Sequence, residues 1–327
     1  MATVGDFEPS VPLRAVMAAQ RQLFSAHQAR AAGYTAGEIE RLRASHRIVS
    51  VRRGVYAVTA DYAALAPLAR HAVAAQAALM CLAGPVTLSH ETAAVWTSLE
   101  MLRPTLGDVH VTRPQLQASR REAGIYHHHG AMPDLHRRHV EGAAVTSAAR
   151  TAVDIARHTD FTRGLAACDS ALRSGATRAE LIATLEFCSS WPGARSAGRL
   201  VSHADGRAAN PGESWSRAVF IEAGIPPTSL QLEVRDAAGL IGFADFGWED
   251  GMTLGEFDGR WKYAVPPGTD AAVATRALWA EKRREDRLRA AGYSVVRWAW
   301  EDLFAPDRLV ARVSAAFDRA GGRRRTA

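Results

Sequence analysis

The spacing of apolar residues over the first sixty positions predicts three short helices followed by a β-hairpin. Apolar residues recur at helical intervals over Leu13–Leu23. Two capping boxes follow, one starting at Ser25 and one at Thr35, each with a Gln or Glu three residues later. The segment 48–58 is rich in β-branched residues around a basic Arg-Arg-Gly turn. This order is typical of a winged helix-turn-helix, which we predict at residues 10–60.

The next region, residues 61–205, is rich in alanine and has mostly helical patterns. Helices are predicted near 65–82, 89–102, 147–158, 162–173 and 177–188, the last opening with another capping box at Thr177. Two short strands are expected at Val109–Thr112 and Gly124–His128. The pattern therefore predicts a mostly helical middle domain, and it contains no recognisable catalytic constellation.

From Asn210 the pattern changes to that of an α/β domain, predicted at residues 210–320. Asn210 has the position of an N-cap, followed by Pro211 at the first helical position. Three β-rich segments follow within 230–257, then a long helix near 272–291, a strand near 293–300 and a last helix. The predicted fold class is therefore multi-domain, helix-rich α/β.

Composition limits the classes of protein to which the chain can belong. With 47% hydrophobic and 23% charged residues it is globular in composition. The longest apolar stretch is too short to span a bilayer, and the first residues do not resemble a signal peptide. We therefore expect a cytoplasmic protein with no membrane partner. The sequence carries no signal for an oligomeric state.

Cysteines and histidines are the first candidates for a metal site. The three cysteines are far apart and form no CxxC pair, which argues against a zinc site. A His-Cys site through His127, His128 and His129 is the alternative. Because neighbouring residues of an extended segment point to opposite faces, we favour a solvated histidine run.

Charge indicates a polyanionic partner. The net charge is +6, and of the 40 Lys and Arg residues only Lys262 and Lys282 are lysine. Where Arg is so strongly preferred, a retained Lys is a candidate for a task that needs a compact point charge.

In the predicted winged helix the basic residues lie where this kind of module meets DNA. The last helix would enter the major groove and the hairpin would reach phosphates or the minor groove. The predicted DNA-contacting residues are Arg41 and Arg43 on the helix, with Arg47, Arg52 and Arg53 on the wing. The alternative is a protein-interaction module on which these charges are merely solvated.

Acidic residues at strand ends carry the chemistry of the last domain. Asp245 lies in an apolar strand, and Glu256 and Asp258 share one face at the end of the next strand, with Lys262 four residues later. Carboxylates of adjacent elements are the ligands that Mg²⁺ or Mn²⁺ prefers, and a lysine can stabilise the phosphate or orient water. The pattern favours metal-dependent phosphodiester hydrolysis. The alternatives are structural roles: Asp258 would form a turn, Lys282 would form a surface ion pair, and Glu213 would cap a helix.

The N-terminal two-thirds resembles the AbiEi-type antitoxin family of type IV toxin–antitoxin systems. The resemblance is carried by QRQLFSAHQARAAGYTAGEIERLRASHRIVSVRRGVYAV and GPVTLSHETAAVW. It implies promoter DNA as a partner of the winged helix, and a nucleotidyltransferase toxin as a partner of the following domain.

Residues 212–303 resemble the very-short-patch-repair-like branch of the PD-(D/E)xK nucleases. The resemblance is carried by GESWSRAVFIEAGI, GFADFGW, GEFDGRWKY and EKRREDRLRAAGYSVVRWAWEDL. It implies a restriction-endonuclease-like fold, with Asp245 and Glu256 as metal ligands and Glu213 joining the site. Asp258 stands where the superfamily usually has lysine, a departure that this branch shares, so Lys262 or Lys282 would supply the positive charge. Phosphate contacts are expected from Arg260, Arg283, Arg284 and Arg287.

Two functions follow as hypotheses. The first is a DNA-directed, Mg²⁺-dependent endonuclease that its winged helix brings to the substrate. The second is a non-catalytic AbiEi-like antitoxin or transcriptional regulator that keeps a degenerate nuclease fold.

Overall fold

A computed structural model describes residues 7–259 and 271–325, the side chains of 271–275, 277, 278 and 320–325 excepted. The chain forms two compact units, which are described separately. Unit 1 comprises Met1–Leu99 and Arg103–Ile155, and unit 2 comprises Glu100–Leu102 and Ala156–Ala327. The protein is mixed α/β with several sheets, 46% helical and 21% strand, which confirms the predicted helix-rich α/β class.

Unit 1 begins with three helices and a small antiparallel sheet. The elements are α1 (Val11–Ala18), β1 (Leu23–Ser25), α2 (Ala26–Ala31), α3 (Ala36–Ala44), β2 (Ile48–Arg52) and β3 (Val55–Val58). The strands lie in the order β1-β3-β2. Both predicted capping boxes form, at Ser25 and at Thr35. The sequence pattern does not predict the short strand β1, because three residues are too few for a periodic pattern.

The rest of unit 1 contains a sheet of which the sequence pattern predicts only a part. Its elements are α4 (Thr59–Ala63), α5 (Pro67–Cys81), β4 (Thr87–Leu88), α6 (His90–Trp96), β5 (Val109–Thr112), β6 (Arg120–Glu122), β7 (Ile125–His128), β8 (Arg137–Val140), β9 (Ala143–Thr146) and α7 (Ala148–Ala156). The six strands have the order β6-β7-β5-β4-β9-β8. The pattern predicts only β5 and β7, so the first half of the predicted helical middle domain is in fact built around a mixed sheet.

A fully buried polar network lies between α7 and the turn before β8. Arg150 Nε donates to Asp154 Oδ2 at 2.8 Å, with their side chains 1% and 0% exposed. Arg150 Nη1 lies 3.3 Å from Nδ1 of the buried His136. Burial and the adjacent Arg150 charge lower the pKa of His136. The folded protein therefore holds this imidazole neutral.

Unit 1 is accordingly expected to lose stability in mild acid. A histidine whose pKa is lowered on folding contributes stability above the unfolded pKa of about 6.5, and this is lost as the pH falls through the folded value. We expect the free energy of unfolding in urea to drop between pH 7.5 and 5.5, and the drop to be smaller in His136→Gln. The control is His139→Gln, because His139 is exposed. Equal drops in all three proteins would contradict the account.

Unit 2 begins with four helices, α8 (Phe161–Arg173), α9 (Arg178–Phe187), α10 (Ala194–His203) and α11 (Pro211–Glu222). Helix α8 packs against both α10 and α11. The buried Asp169 of α8 forms an ion pair with Arg217 of α11, Oδ2 to Nη1 at 2.5 Å. The structure thus divides the chain differently from the predicted domains, since residues 61–205 are split at 155/156 and α8–α10 join the α/β region. The reason is that long-range packing, which composition does not reveal, attaches these helices to α11.

The remainder of unit 2 is a four-stranded sheet covered on both faces. Its elements are β10 (Ser229–Asp236), β11 (Gly239–Trp248), β12 (Thr253–Phe257), α12 (Ala271–Ala290), β13 (Ser294–Trp298) and α13 (Pro306–Arg325). The order is β10-β11-β12-β13, with the last pair parallel and the others antiparallel. The parallel pair is joined through α12, as parallel strands require a crossover.

The two faces of this sheet have separate cores. One is aromatic, with Phe220 of α11 against Phe246, Trp248 and Trp298 and with α13. The other contains apolar residues of β10–β12 and Leu288 of α12. A Cβ on Gly255 would lie 2.5 Å from the Trp298 ring, so only glycine fits there. None of the helices within the described residues has the length and apolarity needed to cross a membrane.

Candidate functional site

Strands β11 and β12 bring the predicted acidic residues of unit 2 to neighbouring positions. The antiparallel pairing of β11 with β12 ends at Phe246 and Gly255, so Asp245 and Glu256 are the next residues beyond the last pair. The period of two places the side chain of Asp258 on the same face as that of Glu256. Glu256 and Asp258 are 4% and 7% exposed, whereas Asp245 is half-buried. Glu256 and Asp258 therefore share the face of the sheet on which Glu256 contacts Arg284 of α12, and Asp245 is bonded to the backbone N–H of Phe257, the residue between them.

A chain of hydrogen bonds connects Asp245 with the start of α11. Gln231 Nε2 lies 3.2 Å from Asp245 Oδ1 and 3.3 Å from Glu213 Oε2, so one amide donates to both carboxylates. The backbone N–H of Phe257 donates to the other oxygen of Asp245 at 2.9 Å. Gln231 has a positive φ of 50°, which is uncommon for a residue other than glycine. Asp245 is thus held by one strand on each side.

Glu213 makes capping contacts at the start of α11 and one further contact with Gln231. Asn210 caps α11 through its Oδ1, which accepts from the N–H groups of Gly212 and Glu213. The Glu213 carboxylate accepts from the N–H of Ala209 at 2.7 Å and from Asn210 Nδ2 at 2.8 Å. It is 4% exposed and also contacts Gln231. Capping therefore fixes the carboxylate in a position from which it reaches the acidic cluster.

Two arginines neutralise the other end of the cluster. Glu256 Oε1 accepts from Arg284 of α12 at 2.6 Å, and Glu256 Oε2 forms an ion pair with Arg297 of β13 at 2.8 Å. Arg297 Nη1 also lies 3.8 Å from Asp258 Oδ2. The parallel register pairs Glu256 directly with Arg297. Glu256 is thus the most strongly paired carboxylate of the set.

Helix α12 adds a further carboxylate to this network. Glu281 accepts from Arg284 Nη1 at 3.0 Å and from Arg297 Nη2. Burial raises the pKa of Glu281, but hydrogen bonding to Arg297 and the charge of Arg284 outweigh it, so the pKa is lowered overall. For Arg284, burial acts to lower the pKa, and the Glu256 contact reverses this. Both groups are therefore held in their charged forms.

The remaining predicted residues of this region lie apart from the cluster or outside the described residues. Lys282 is exposed on α12, with its Nζ 5.4 Å from the ring centre of Trp279. Arg283 is exposed, and Arg287 pairs with Asp236. Arg284 lies inside the cluster, so its predicted phosphate contact competes with Glu256. Arg260 and Lys262 lie outside the described residues.

The basic residues of the first module lie around α3 and the β2–β3 turn. Arg41, Arg43, Arg47 and Arg53 are exposed and Arg52 is half-buried. Arg43 pairs with Glu40 on the same helix at 2.5 Å. Arg41 and Arg47 line a groove of about 710 Å³ beside α3. The exposed arginines therefore lie on α3 and just after it, and Arg53 lies in the β2–β3 turn.

The predicted solvated histidine run is wrong. His127 and His128 are 2% and 7% exposed, and of the three only His129 is exposed. His128 lies with His90 and His110, one ring nitrogen of each within 4.8 Å of the others. Among the residues that the structure describes, this is the one such group of three potential ligands, so Asp245, Glu256 and Asp258 do not converge that closely.

Sequence reasoning missed Gln231 and Arg297. Both are polar residues within β-rich segments, and a charge inside Val-Val-Arg-Trp was a usable signal. Their partners, however, lie on other strands and become neighbours only through sheet register.

Comparisons with known proteins do not identify a function. No protein-family model matches the chain. The uncharacterized proteins MT2308 and Rv2248 of two Mycobacterium tuberculosis strains are each 32% identical to it over 183 residues, 55% of this chain and 64% of theirs. The chain therefore spans less than two thirds of the length of these relatives. The crystal structure of the Rv2827c protein from M. tuberculosis aligns with a TM-score of 0.39 and 12% identity, over 72% of this chain and 93% of that one.

Proposed function

We propose that the α/β region of unit 2 cleaves DNA phosphodiester bonds with the help of Mg²⁺ or Mn²⁺. The observation that carries this proposal is the position of Asp245, which accepts a hydrogen bond from the N–H of Phe257, the residue between Glu256 and Asp258. The Gln231 amide links Asp245 to a fourth carboxylate, that of Glu213. Buried carboxylates are costly unless cations or hydrogen-bond donors compensate them. Their gathering here therefore favours a site for a divalent cation.

The donor set fits a hard divalent cation by its chemistry. Carboxylate and amide oxygens from adjacent strands are the ligands that Mg²⁺ takes, and the half-buried Asp245 leaves one side of the set accessible. Glu256 must exchange at least one guanidinium for the cation, because both its oxygens are paired. Asp245, Glu256 and Asp258 are the residues that would hold it.

Each residue then has a defined task. The cation, when bound, makes hydroxide available near neutral pH and screens the charge of the phosphate. Gln231 orients Asp245, and the capped Glu213 accepts a hydrogen bond from the attacking water. Lys262 polarises the scissile phosphate or this water. Arg284 and Arg297 neutralise Glu256 until a cation competes for it.

The first three helices and three strands of unit 1 would bind the DNA substrate. The order α1-β1-α2-α3-β2-β3, with a basic turn between β2 and β3, supports a winged helix. In such a module α3 would enter the major groove and the turn would follow the phosphates. The exposed Arg41, Arg47 and Arg53 are the residues we expect to contact DNA.

The wing arginines provide a test of this DNA contact. Arg47→Ala with Arg53→Ala is expected to weaken DNA binding about tenfold and to reduce the salt-dependence slope by about one for each phosphate that is no longer neutralised. Fluorescence anisotropy with a duplex at several salt concentrations measures both. Arg195→Ala, an exposed arginine of α10, is the control for loss of charge. Unchanged affinity in the double variant would argue for a protein-interaction module instead.

Cleavage itself is tested on supercoiled plasmid. The chain is expected to nick the plasmid with Mg²⁺ or Mn²⁺, and nicking is expected to stop when EDTA is in excess. Because the Lys282 ammonium lies outside the acidic network, Lys282→Ala should retain the rate within about twofold, whereas Lys262→Ala should lose about 10- to 100-fold. If Lys282→Ala loses nicking activity and Lys262→Ala does not, the positive charge used in the reaction is that of Lys282 on α12.

A non-catalytic function is the second candidate, and one observation favours it. Both oxygens of Glu256 are held by guanidiniums, as expected where an ion pair has replaced a metal. The protein would then be an AbiEi-like antitoxin or regulator, with DNA and a nucleotidyltransferase toxin as partners. Specific DNA binding without nicking, at any Mg²⁺ or Mn²⁺ concentration, would decide for it.

A further inference from the structure

Three adjacent strands of the unit 1 sheet each bring one histidine to the same place. His90 follows β4, His110 lies on β5 and His128 ends β7, and these strands are neighbours in the order β7-β5-β4. The parallel register pairs His110 with Tyr126 and Thr112 with His128, so the two histidines are diagonal neighbours on one face. The fold, rather than any local sequence motif, creates this cluster.

The three imidazole rings are in direct contact. His110 Nδ1 lies 2.9 Å from His128 Nε2, and the His90 ring stacks on the His128 ring with centroids 3.7 Å apart. The ring of Tyr126 lies 4.0 Å from that of His128. His90 and His128 are 3% and 7% exposed, whereas His110 is half-buried. The cluster is thus enclosed on two sides and accessible at His110.

Neighbouring groups hold the histidines in place. Ser89 Oγ lies 3.0 Å from His90 Nδ1, and Thr92 Oγ1 accepts from the backbone N–H of His110 at 2.8 Å. A hydrogen bond at one ring nitrogen orients the other, as is usual around metal-ligating histidines. His90 also has a φ of 52°, a strained conformation that surrounding structure must impose. These contacts orient the His90 ring and fix the backbone position of His110.

We propose that His90, His110 and His128 bind a late first-row divalent metal ion, Zn²⁺ or Co²⁺. Imidazole nitrogens suit these ions, and one nitrogen of each ring already lies within 4.8 Å of the others. Tetrahedral ligation at about 2.0–2.1 Å places ligand nitrogens roughly 3.4 Å apart, a difference within reach of ring rotation. Metal binding replaces the His90–His128 stacking and the His110–His128 hydrogen bond by three metal–nitrogen bonds.

With three protein ligands, the proposed site would have a fourth position for water or a small ligand. Three histidines with an open fourth position form the ligand set of catalytic zinc sites, whereas structural sites are closed by four protein ligands. The site lies in unit 1 and uses nitrogen donors. It is therefore distinct in place and in metal preference from the carboxylate network of unit 2.

The test is a metal titration of the full chain without a histidine tag, after removal of metals with a chelator. Wild type is expected to bind one Zn²⁺ per chain in calorimetry and to give the visible absorption of a histidine-bound Co²⁺. His110→Gln and His128→Gln should weaken binding by about 100-fold or more. The exposed neighbour variant His129→Gln should bind as wild type.

Two results would overturn the proposal. One is the absence of Zn²⁺ binding by wild type; the other is binding that His110→Gln and His128→Gln leave unchanged, which would assign the ion to another site. If the buried His128→Gln does not fold, X-ray absorption of Zn²⁺-loaded wild type decides the question. Three imidazoles in the first shell would support the site, and fewer would exclude it.

Discussion

Asp245→Asn is expected to lower the rate of Mg²⁺- or Mn²⁺-dependent plasmid nicking by on the order of 100-fold or more. The substitution removes the negative charge that Gln231 and the N–H of Phe257 hold in place, while keeping the size of the side chain. Losses of this order follow the removal of one group that stabilises charge in a reaction of this kind. In contrast, a residue that only packs would change the stability of unit 2 and leave the rate of the folded fraction unaltered.

The control for this prediction is Asp250→Asn, because Asp250 is an exposed aspartate after the same strand. In Asp245→Asn the new side-chain amide would also face the N–H of Phe257 or the Gln231 amide, and we expect a stability loss of about 1–3 kcal/mol. Circular dichroism therefore accompanies the assay, and Glu256→Gln serves as a second variant. Nicking at the wild-type rate by folded Asp245→Asn would exclude Asp245 from the reaction.

Asp169→Ala is expected to lower the free energy of unfolding of unit 2 by about 3–5 kcal/mol. Asp169 is 0% exposed and Arg217 7% exposed, and Asp169 also accepts from the backbone N–H of Asp205. Burial raises the pKa of Asp169, and the ion pair with Arg217 opposes this rise. The pair itself therefore contributes little net stability, but removing one partner leaves a buried, uncompensated guanidinium.

The double variant Asp169→Ala with Arg217→Met separates these effects. Because it removes both charges and keeps an apolar stem against α8, it should be more stable than Asp169→Ala alone. Urea unfolding of the two variants and wild type measures the difference. If the double variant is no more stable than Asp169→Ala, the loss in Asp169→Ala does not come from the uncompensated guanidinium, and this explanation is wrong.

Local features of this fold are readable from the sequence, because their partners are close along the chain. The capping boxes at Ser25, Thr35 and Thr177 form as expected, since each joins residues three apart. The helix start at Asn210 also forms, with Pro211 at its first position. The shared face of Glu256 and Asp258 follows from the strand period alone.

Nonlocal features are not readable from the sequence. Gln231 and Arg297 meet the acidic residues only because β10 and β13 lie on either side of β11 and β12. The pattern predicts a solvated histidine run because side chains of a strand alternate between two faces, and one of these faces is normally exposed. Both faces of β7 are covered at this point, so His127 and His128 are both buried.

The most direct test of the central claim, that the unit 2 carboxylates hold a divalent cation, is calorimetric titration of Mn²⁺ into wild type and Asp245→Asn. His110→Gln is introduced into both of these backgrounds, so the comparison is between the single variant His110→Gln and the double variant His110→Gln with Asp245→Asn. The histidine cluster of unit 1 then does not contribute to the heat of binding. We expect saturable binding of Mn²⁺ to the protein that retains Asp245 and at least about tenfold weaker binding to the protein with Asp245→Asn. Equal binding by both, or no binding by either, would contradict it and leave the carboxylates and their arginines as a structural ion-pair network.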